Sequence, residues 1–329
     1  MSRAGAVLQA GVFIAMLAAT ALLCLPSSGE KKILRAADDH PAGYPTTEGL
    51  FYMARRVSEL SGGRITMQVY PGAQLGSEKE TLENTRMGVI DVNRVSCAPL
   101  SEFLEEMGVF SMPYVFRDGE HQWKTLDGEI GRRLAEKLSE VGMVGLAYYD
   151  SGARSFYNTR RPVAAPADLK GLKIRTQKSK VMIELVETLG GSATPMAFEE
   201  VYSALQTGVI DGAENNPPSY ESTRHYEAAK FYSLDEHTRI PEIVAASAIT
   251  WERLSPADRE ILRRAAKESE AVQKRLWKKY EADAMKKVAA AGCRINAPPK
   301  DAFRKAVEPL YKKYEAKYGE LIREIQAVR

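Results

Sequence analysis

The sequence predicts an α/β protein built as two similar lobes that face each other across a cleft, with one long helix bridging them. Three observations carry this. The run Gly88-Val89-Ile90-Asp91 recurs as Gly208-Val209-Ile210-Asp211, 120 residues later. The pair Gly62-Gly63 recurs as Gly190-Gly191, 128 residues later, and each pair follows a strand and a helix pattern in the same order. A repeated αβ unit of this size implies two related lobes, and clefts between lobes are preferred ligand sites. The third observation is Ala257 to Ala291, which holds neither Gly nor Pro and is long enough to span both lobes.

The elements follow in order. Arg3, the apolar run Val7 to Leu25 and the small residues Pro26-Ser27-Ser28-Gly29 read as an export signal over residues 1–29, cut after Gly29. The mature chain is then exported to the periplasm. Lys32 to Ala37 reads as a strand. The loop Asp38-Asp39-His40-Pro41-Ala42-Gly43-Tyr44-Pro45 follows, and Thr46 or Thr47 caps a helix to about Glu59. Ile65 to Tyr70 alternates like a strand and turns at Pro71-Gly72. Glu78 lies in the first turn of a helix ending near Met87, where a carboxylate suits the helix dipole. Val89 to Val95 reads as a strand carrying Asn93 and Arg94. Met112 to Phe116 is a core crossing, and residues 118–141 form a surface helix. Gly145 to Tyr149 is a strand, and Asp150-Ser151-Gly152 is a turn placed to act as a hinge.

In the second half, Leu172 to Thr176 reads as a strand. Phe198 to Gln206 is a short amphipathic helix stopped by Gly208. Val209 and Ile210 form a very short strand, Asp211 to Asn216 a polar loop, and Pro217 bars continuation. Ile243 to Trp251 is a long apolar strand. Ser255-Pro256 and Asp258 start the bridging helix, Arg294 to Ala297 is a short strand, and residues 300–328 are a charged terminal helix. The lobes are expected to comprise 30–151 with 241–280, and 152–240 with 281–329.

The chemistry available is that of binding. Net charge is +3, and basic residues form no stripe interleaved with aromatics, which argues against nucleic acid. The four histidines, His40, His121, His225 and His237, sit in no metalloprotease pattern, and no nucleophile elbow occurs, so no catalytic residue is assigned. No cofactor pattern is present. A cation site from Asp211, Glu214, Glu236 and His237 is conceivable but is not assigned. Cys97 and Cys293 show no metal-ligand spacing and read as two buried free thiols. Arg154 and Arg175 each lie beside a short strand. An Arg at the end of a buried strand needs an acceptor. That acceptor is either a ligand carboxylate, gripped bidentately, or a structural partner such as Asp150 or Glu214.

Four stretches, in order, resemble the DctP-like solute-binding proteins of TRAP transporters: Gln74 to Glu80, Gly152 to Tyr157, Pro166 to Arg175, and Glu200 to Asn215. The resemblance covers nearly the whole chain after residue 30 and implies a two-lobed periplasmic-binding-protein fold that closes on its ligand. It also implies a permease partner driven by an ion gradient, and a receptor rather than an enzyme. Carried over residue by residue, it assigns the ligand carboxylate to Arg175, with Arg154 as second arginine. Phe198 becomes the packing aromatic, Asn215 the loop amide, and Glu78 a ligand contact. His40 and Asp39 from the first lobe would read hydroxyls, and Asn93 joins the candidate set. The Asp-Gly-Ala-Glu-Asn-Asn stretch from Asp211 and the Asp-His-Pro-x-Gly-Tyr-Pro loop from Asp39 resemble the sugar-acid subgroup. The ligand class this implies is the hexuronates, such as glucuronate and galacturonate.

Overall fold

The computed structural model describes residues 31–329, so the expected export signal lies outside the described residues. Among the described residues eleven strands fall into two sheets. The first has the order β2-β1-β3-β10-β4, from β1 (Lys32–Ala37), β2 (Ile65–Tyr70), β3 (Val92–Ser96), β4 (Met143–Tyr149) and β10 (Glu242–Ser247). The second has the order β11-β9-β5-β8-β6-β7, from β5 (Arg154–Asn158), β6 (Lys173–Thr176), β7 (Ser192–Pro195), β8 (Gly212–Asn215), β9 (Phe231–Thr238) and β11 (Arg294–Asn296). In each sheet a parallel trio joined by helices (β2-β1-β3 and β7-β6-β8) meets strands that run antiparallel to it, β10 and β5. The sequence repeat is therefore a structural repeat. Gly88 and Gly208 even share one left-handed conformation, at φ +73° and +72°.

The chain passes between lobes twice as non-helical backbone, from β4 to β5 and from β9 to β10. Ser151 donates its hydroxyl to the Ile240 carbonyl, tying the two crossings together. Gly152 takes φ +59° here, and a Cβ on it would meet Glu281 Oε1 at 2.5 Å. Glycine is thus required both for its conformation and for the close approach of the long helix.

That helix, Pro256–Ala290, has 35 residues, roughly 50 Å of rod at 1.5 Å per residue. Ser255 caps it by accepting from the Asp258 N–H at 3.1 Å. Leu262, Ala265 and Ala266 enter the core of the first lobe with Leu50, Met53 and Val57. Val288 enters the core of the second lobe with Tyr220 and Tyr232, and Met285 packs against it. Between them Gln273 clasps the hinge, accepting from Asp150 N–H and donating to its carbonyl, both at 2.8 Å. The terminal helix Glu308–Ala327 also straddles the lobes. Tyr318 donates to Glu105 O at 2.9 Å in the first lobe, and Lys313 pairs with Glu184 at 2.9 Å in the second.

Several expected elements differ. Val209 and Ile210 form a turn, with Val209 more than half exposed, and the strand runs instead through the stretch expected as a polar loop. The cause is Asp211. Its N–H donates to Lys173 O at 2.8 Å, and its carboxylate accepts from Lys173 N–H at 2.9 Å, so pairing with β6 starts there. Asp91 does the same in the first lobe, accepting from Arg35 N–H at 2.7 Å, and Val89-Ile90 likewise precede the strand. Residues 118–141 split into Gly119–Leu126 and Glu129–Lys137, because Gly128 takes an extended conformation as the cap of the second helix. The strand expected to reach Trp251 stops at Ser247, whose side chain caps the helix Ala248–Arg253. The terminal helix is broken before Glu308, with Pro309 in the first turn of the second piece. Met112 to Phe116 is irregular, with Tyr114 at φ +58°. Cys97 and Cys293 are both free, but only Cys97 is fully buried.

Candidate functional site

The carboxyl ends of the central strands of both sheets point at one small cavity on the seam. This is where ligands sit in open α/β sheets. The first lobe lines it with Asp39, His40, Glu78 and Glu242. The second lobe lines it with Arg154, Arg175, Gln177, Phe198, Asn215, Asn216 and Ser219. Two larger surface grooves among the described residues do not bring buried charges from both lobes together.

Arg175, on β6, is only 3% exposed. Its Nε and Nη2 donate to the Met196 carbonyl at 3.1 and 2.9 Å, and among the described residues no carboxylate pairs with it. Burial pulls its pKa below the usual guanidinium value, the Glu214 charge opposes this, and Arg154 adds to it. A buried cation in this condition is costly until an anion arrives. Arg154, at the head of β5, is different. Its Nε and Nη2 grip Glu214 at 2.6 and 2.9 Å, and its Nη1 donates to Asn215 Oδ1 at 2.8 Å. Of the two roles open to it, the structure shows the salt bridge with Glu214.

Glu214 anchors a buried chain. His237 Nε2 lies 3.5 Å from its carboxylate, and His237 Nδ1 lies 2.8 Å from Asp235. Burial opposes charge on Glu214, yet Arg154 and His237 hold its pKa at about 2. Burial likewise opposes charge on His237, and Asp235 and Glu214 raise its pKa to about 9. The chain is thus a row of alternating charges that fixes the position of Arg154 and, through it, Asn215. The four residues weighed as a cation site do not assemble. Asp211 is taken by Arg160 and Lys173, and Glu236 by Lys300.

The wall of the first lobe is acidic and turns on Arg94, a fully buried residue of β3. Arg94 hydrogen-bonds Asp38 and Asp39, reaches Glu242 at 2.6 Å, and comes within 3.4 Å of Glu78. His40 Nδ1 adds contacts of 2.9 Å to Asp39 and 3.3 Å to Asp38. Despite burial, Arg94 and His40 hold both aspartates below the ordinary carboxylate range. Burial opposes charge on His40, but Asp39 raises its pKa to about 9. Asp38, Asp39 and His40 bring three metal-ligating atoms within 4.8 Å, but Arg94 already donates to both carboxylates of the group. Its guanidinium does there the work a bound cation would do.

Phe198, at the head of its helix, packs 4.8 Å from the His40 ring and 6.0 Å from the Arg175 guanidinium carbon. Tyr44 stacks on His40 at 4.0 Å. Its hydroxyl crosses the seam to Ser219 Oγ at 2.8 Å and Asn216 Oδ1 at 3.3 Å. Of the eight expected site residues, seven line the cavity. Asn93 is not part of its wall: it sits within the first sheet, opposite Ala37 and Ala245, with both amide atoms unpartnered. Sequence reasoning missed Glu242, Gln177, Asn216 and Ser219 and gave Arg94 no role. Arg94 carries the same signal as Arg175, an arginine inside a short strand with one apolar neighbour, Val95 as against Ile174. Gln177 is buried beside the cavity with its Oε1 unpartnered, a state only the fold reveals.

Bacterial extracellular solute-binding protein family 7, DctP, matches residues 36–317. The chain belongs to that family. A solute-binding protein of Chromohalobacter salexigens is 38% identical over 308 residues, covering 93% of this chain and 92% of that protein. A TRAP periplasmic solute-binding protein of Bradyrhizobium sp. BTAi1, solved with α/β-D-galacturonate, is 44% identical with TM-score 0.88, covering 90% of this chain and 99% of that one. One from Roseobacter denitrificans, solved with β-D-glucuronate, is 39% identical with TM-score 0.88, covering 91% and 100%. This DctP-family protein is thus a TRAP solute-binding protein with the two-lobed fold of its relatives.

Proposed function

We propose that this receptor captures a hexuronate, glucuronate or galacturonate, in the periplasm and delivers it to the membrane subunits of a TRAP permease. It binds its ligand and releases it unchanged. The observation that carries the reading is Arg175, a buried guanidinium with no carboxylate of its own, facing a wall of carboxylates across the cleft. A ligand with one carboxylate and several hydroxyls suits both sides. The carboxylate pairs with Arg175, Phe198 packs on the carbon skeleton, and Asp39, His40 and Glu78 meet hydroxyls, with Asn215 completing the anion's shell. A C4-dicarboxylate would press its second charge against Asp39 and Glu242. The solved relatives that hold uronates support the same ligand class. Residues 1–29 supply the export signal in this reading.

A thermal-shift screen of the mature chain tests it. Glucuronate and galacturonate at about a thousandfold over Kd are expected to add roughly 4 kcal/mol of stability, a shift of many degrees. A shift with succinate or malate and none with uronates would overturn the ligand. Recovered ligand is expected to give an unchanged NMR spectrum; a new product would overturn the receptor role.

Tyr44→Phe removes the hydroxyl that holds the lobes together without touching the carboxylate anchor. It is expected to weaken both uronates by the same factor, roughly fivefold for a hydrogen bond worth about 1 kcal/mol. Calorimetry with each sugar checks this, and unequal factors would place the hydroxyl on the ligand instead.

A further inference from the structure

The acidic wall has more carboxylates than cations. Asp38, Asp39, Glu78 and Glu242 surround Arg94 and His40, an excess of two negative charges if all are ionised. The Arg94 donors are not shared evenly. Asp38, Asp39 and Glu242 take close bonds, and Glu78 is left at 3.4 Å. Glu78 Oε1 accepts the Ser96 N–H at 2.9 Å, while its Oε2 takes no hydrogen bond among the described residues, and the side chain lines the cavity. A second carboxylate brought in by the ligand would claim Arg175, the cation across the cleft whose field now reaches Glu78.

We propose that Glu78 meets the bound acid as a neutral carboxylic acid: closing over the ligand draws one proton from solution onto Glu78, whose O–H then donates to a ligand oxygen. The inference rests on the acid-receptor reading above and adds a proton to it. The groups that face Glu78 are Asp39 and His40 from the loop after β1, Arg94 from β3, Cys97 just beyond it, Glu242 from β10 and Arg175 from β6. In the closed form burial is the largest influence and Asp39 the next, with Arg94 opposing, and together they push Glu78 up to about 8. When the lobes part, water returns to the cleft and this burial is relieved, so Glu78 falls back toward the ordinary carboxyl value of about 4.3. The complex therefore holds more protons than the open receptor between those two values. Affinity falls as pH rises through that window, by at most about tenfold per pH unit, and levels off beyond it. The uronate carboxyl, an ordinary acid, stays ionised throughout.

Calorimetric titration with D-glucuronate at pH 7, repeated in phosphate, HEPES and Tris, counts the protons directly. Wild type is expected to take up about 0.5 to 1 proton per ligand. Glu78→Gln, which copies the neutral acid in shape, is expected to take up none, to match wild type only near pH 4, and to bind more tightly than wild type above it, by about fiftyfold at pH 6 and by more at pH 8. Heat independent of buffer in wild type would overturn the proposal, and so would uptake that survives in Glu78→Gln. A loss of more than tenfold by Glu78→Gln at pH 6 would also overturn it. The wild-type proton count needs no variant, and Glu242→Gln, expected to keep the uptake, separates the two acids. Should the screen above select another acid, the same titrations are run with that acid, so the ligand and the proton fail separately.

Discussion

Replacing Arg175 with alanine is expected to abolish detectable binding while the lobes stay folded. Among the described residues its side chain hydrogen-bonds only the Met196 carbonyl, so its loss costs the fold little. The ligand loses much more. Truncating one partner of a buried, hydrogen-bonded charge pair costs about 2–5 kcal/mol, roughly thirtyfold to several-thousandfold in Kd. Arg175→Lys keeps the charge but not the flat two-pronged donor set, and is expected to fall between the two. Isothermal titration alongside circular dichroism checks this. Wild-type affinity in Arg175→Ala would remove the carboxylate anchor. Arg154→Ala makes a useful contrast: with its donors committed to Glu214 and Asn215, its loss is expected to show first as instability.

Arg94→Met has the largest expected effect on folding. It removes the guanidinium shared by Asp38, Asp39, Glu242 and Glu78, and breaking one side of a buried charge cluster costs about 3–5 kcal/mol. The defect has a pH signature. In wild type, Asp38 and Asp39 titrate below their ordinary value, so their contribution is present above pH 4 and is lost as pH falls through their lowered folded values. In Arg94→Met, His40 alone is left to offset four buried carboxyls, so burial raises them and the penalty eases as they protonate. The gap between the two proteins therefore narrows from pH 7.5 to pH 5. Urea denaturation at both pH values measures it; a gap that widens on acidification would show that Arg94 does not neutralise these acids.

The architecture was legible because it is written as repetition. Two Gly-Val-Ile-Asp runs and two Gly-Gly pairs announce two related lobes, and the Ser255 cap and the absence of helix breakers announce the rod. The misreading around Asp211 has a clear cause. Val209-Ile210 looked like a strand because it is apolar, and Gly212 to Asn215 looked like a loop because it is polar. The strand forms in the polar stretch because Asp211 makes both a backbone and a side-chain bond to Lys173, and Arg154 neutralises Glu214. Partners 38 and 60 residues away decide this, and no local window contains them. The site was legible where a family motif marks a charge in a short strand, as at Arg175, whose acceptor the residues alone left open. It was obscure where a residue gains meaning only from a distant neighbour. Glu242 heads a strand whose sheet partner carries Arg94, 148 residues earlier in the chain. Arg154 marks the limit of family resemblance, which brought it to the cavity but not to its bond with Glu214.

The tyrosine clasp across the seam has a wider consequence. In the proposed reading Arg175 anchors the anion while Tyr44 joins only Ser219 and Asn216, so grip strength and chemical choice would be set by different parts of the molecule. A lineage can retune how scarce a nutrient it scavenges by loosening or tightening that clasp, and keep the same nutrient.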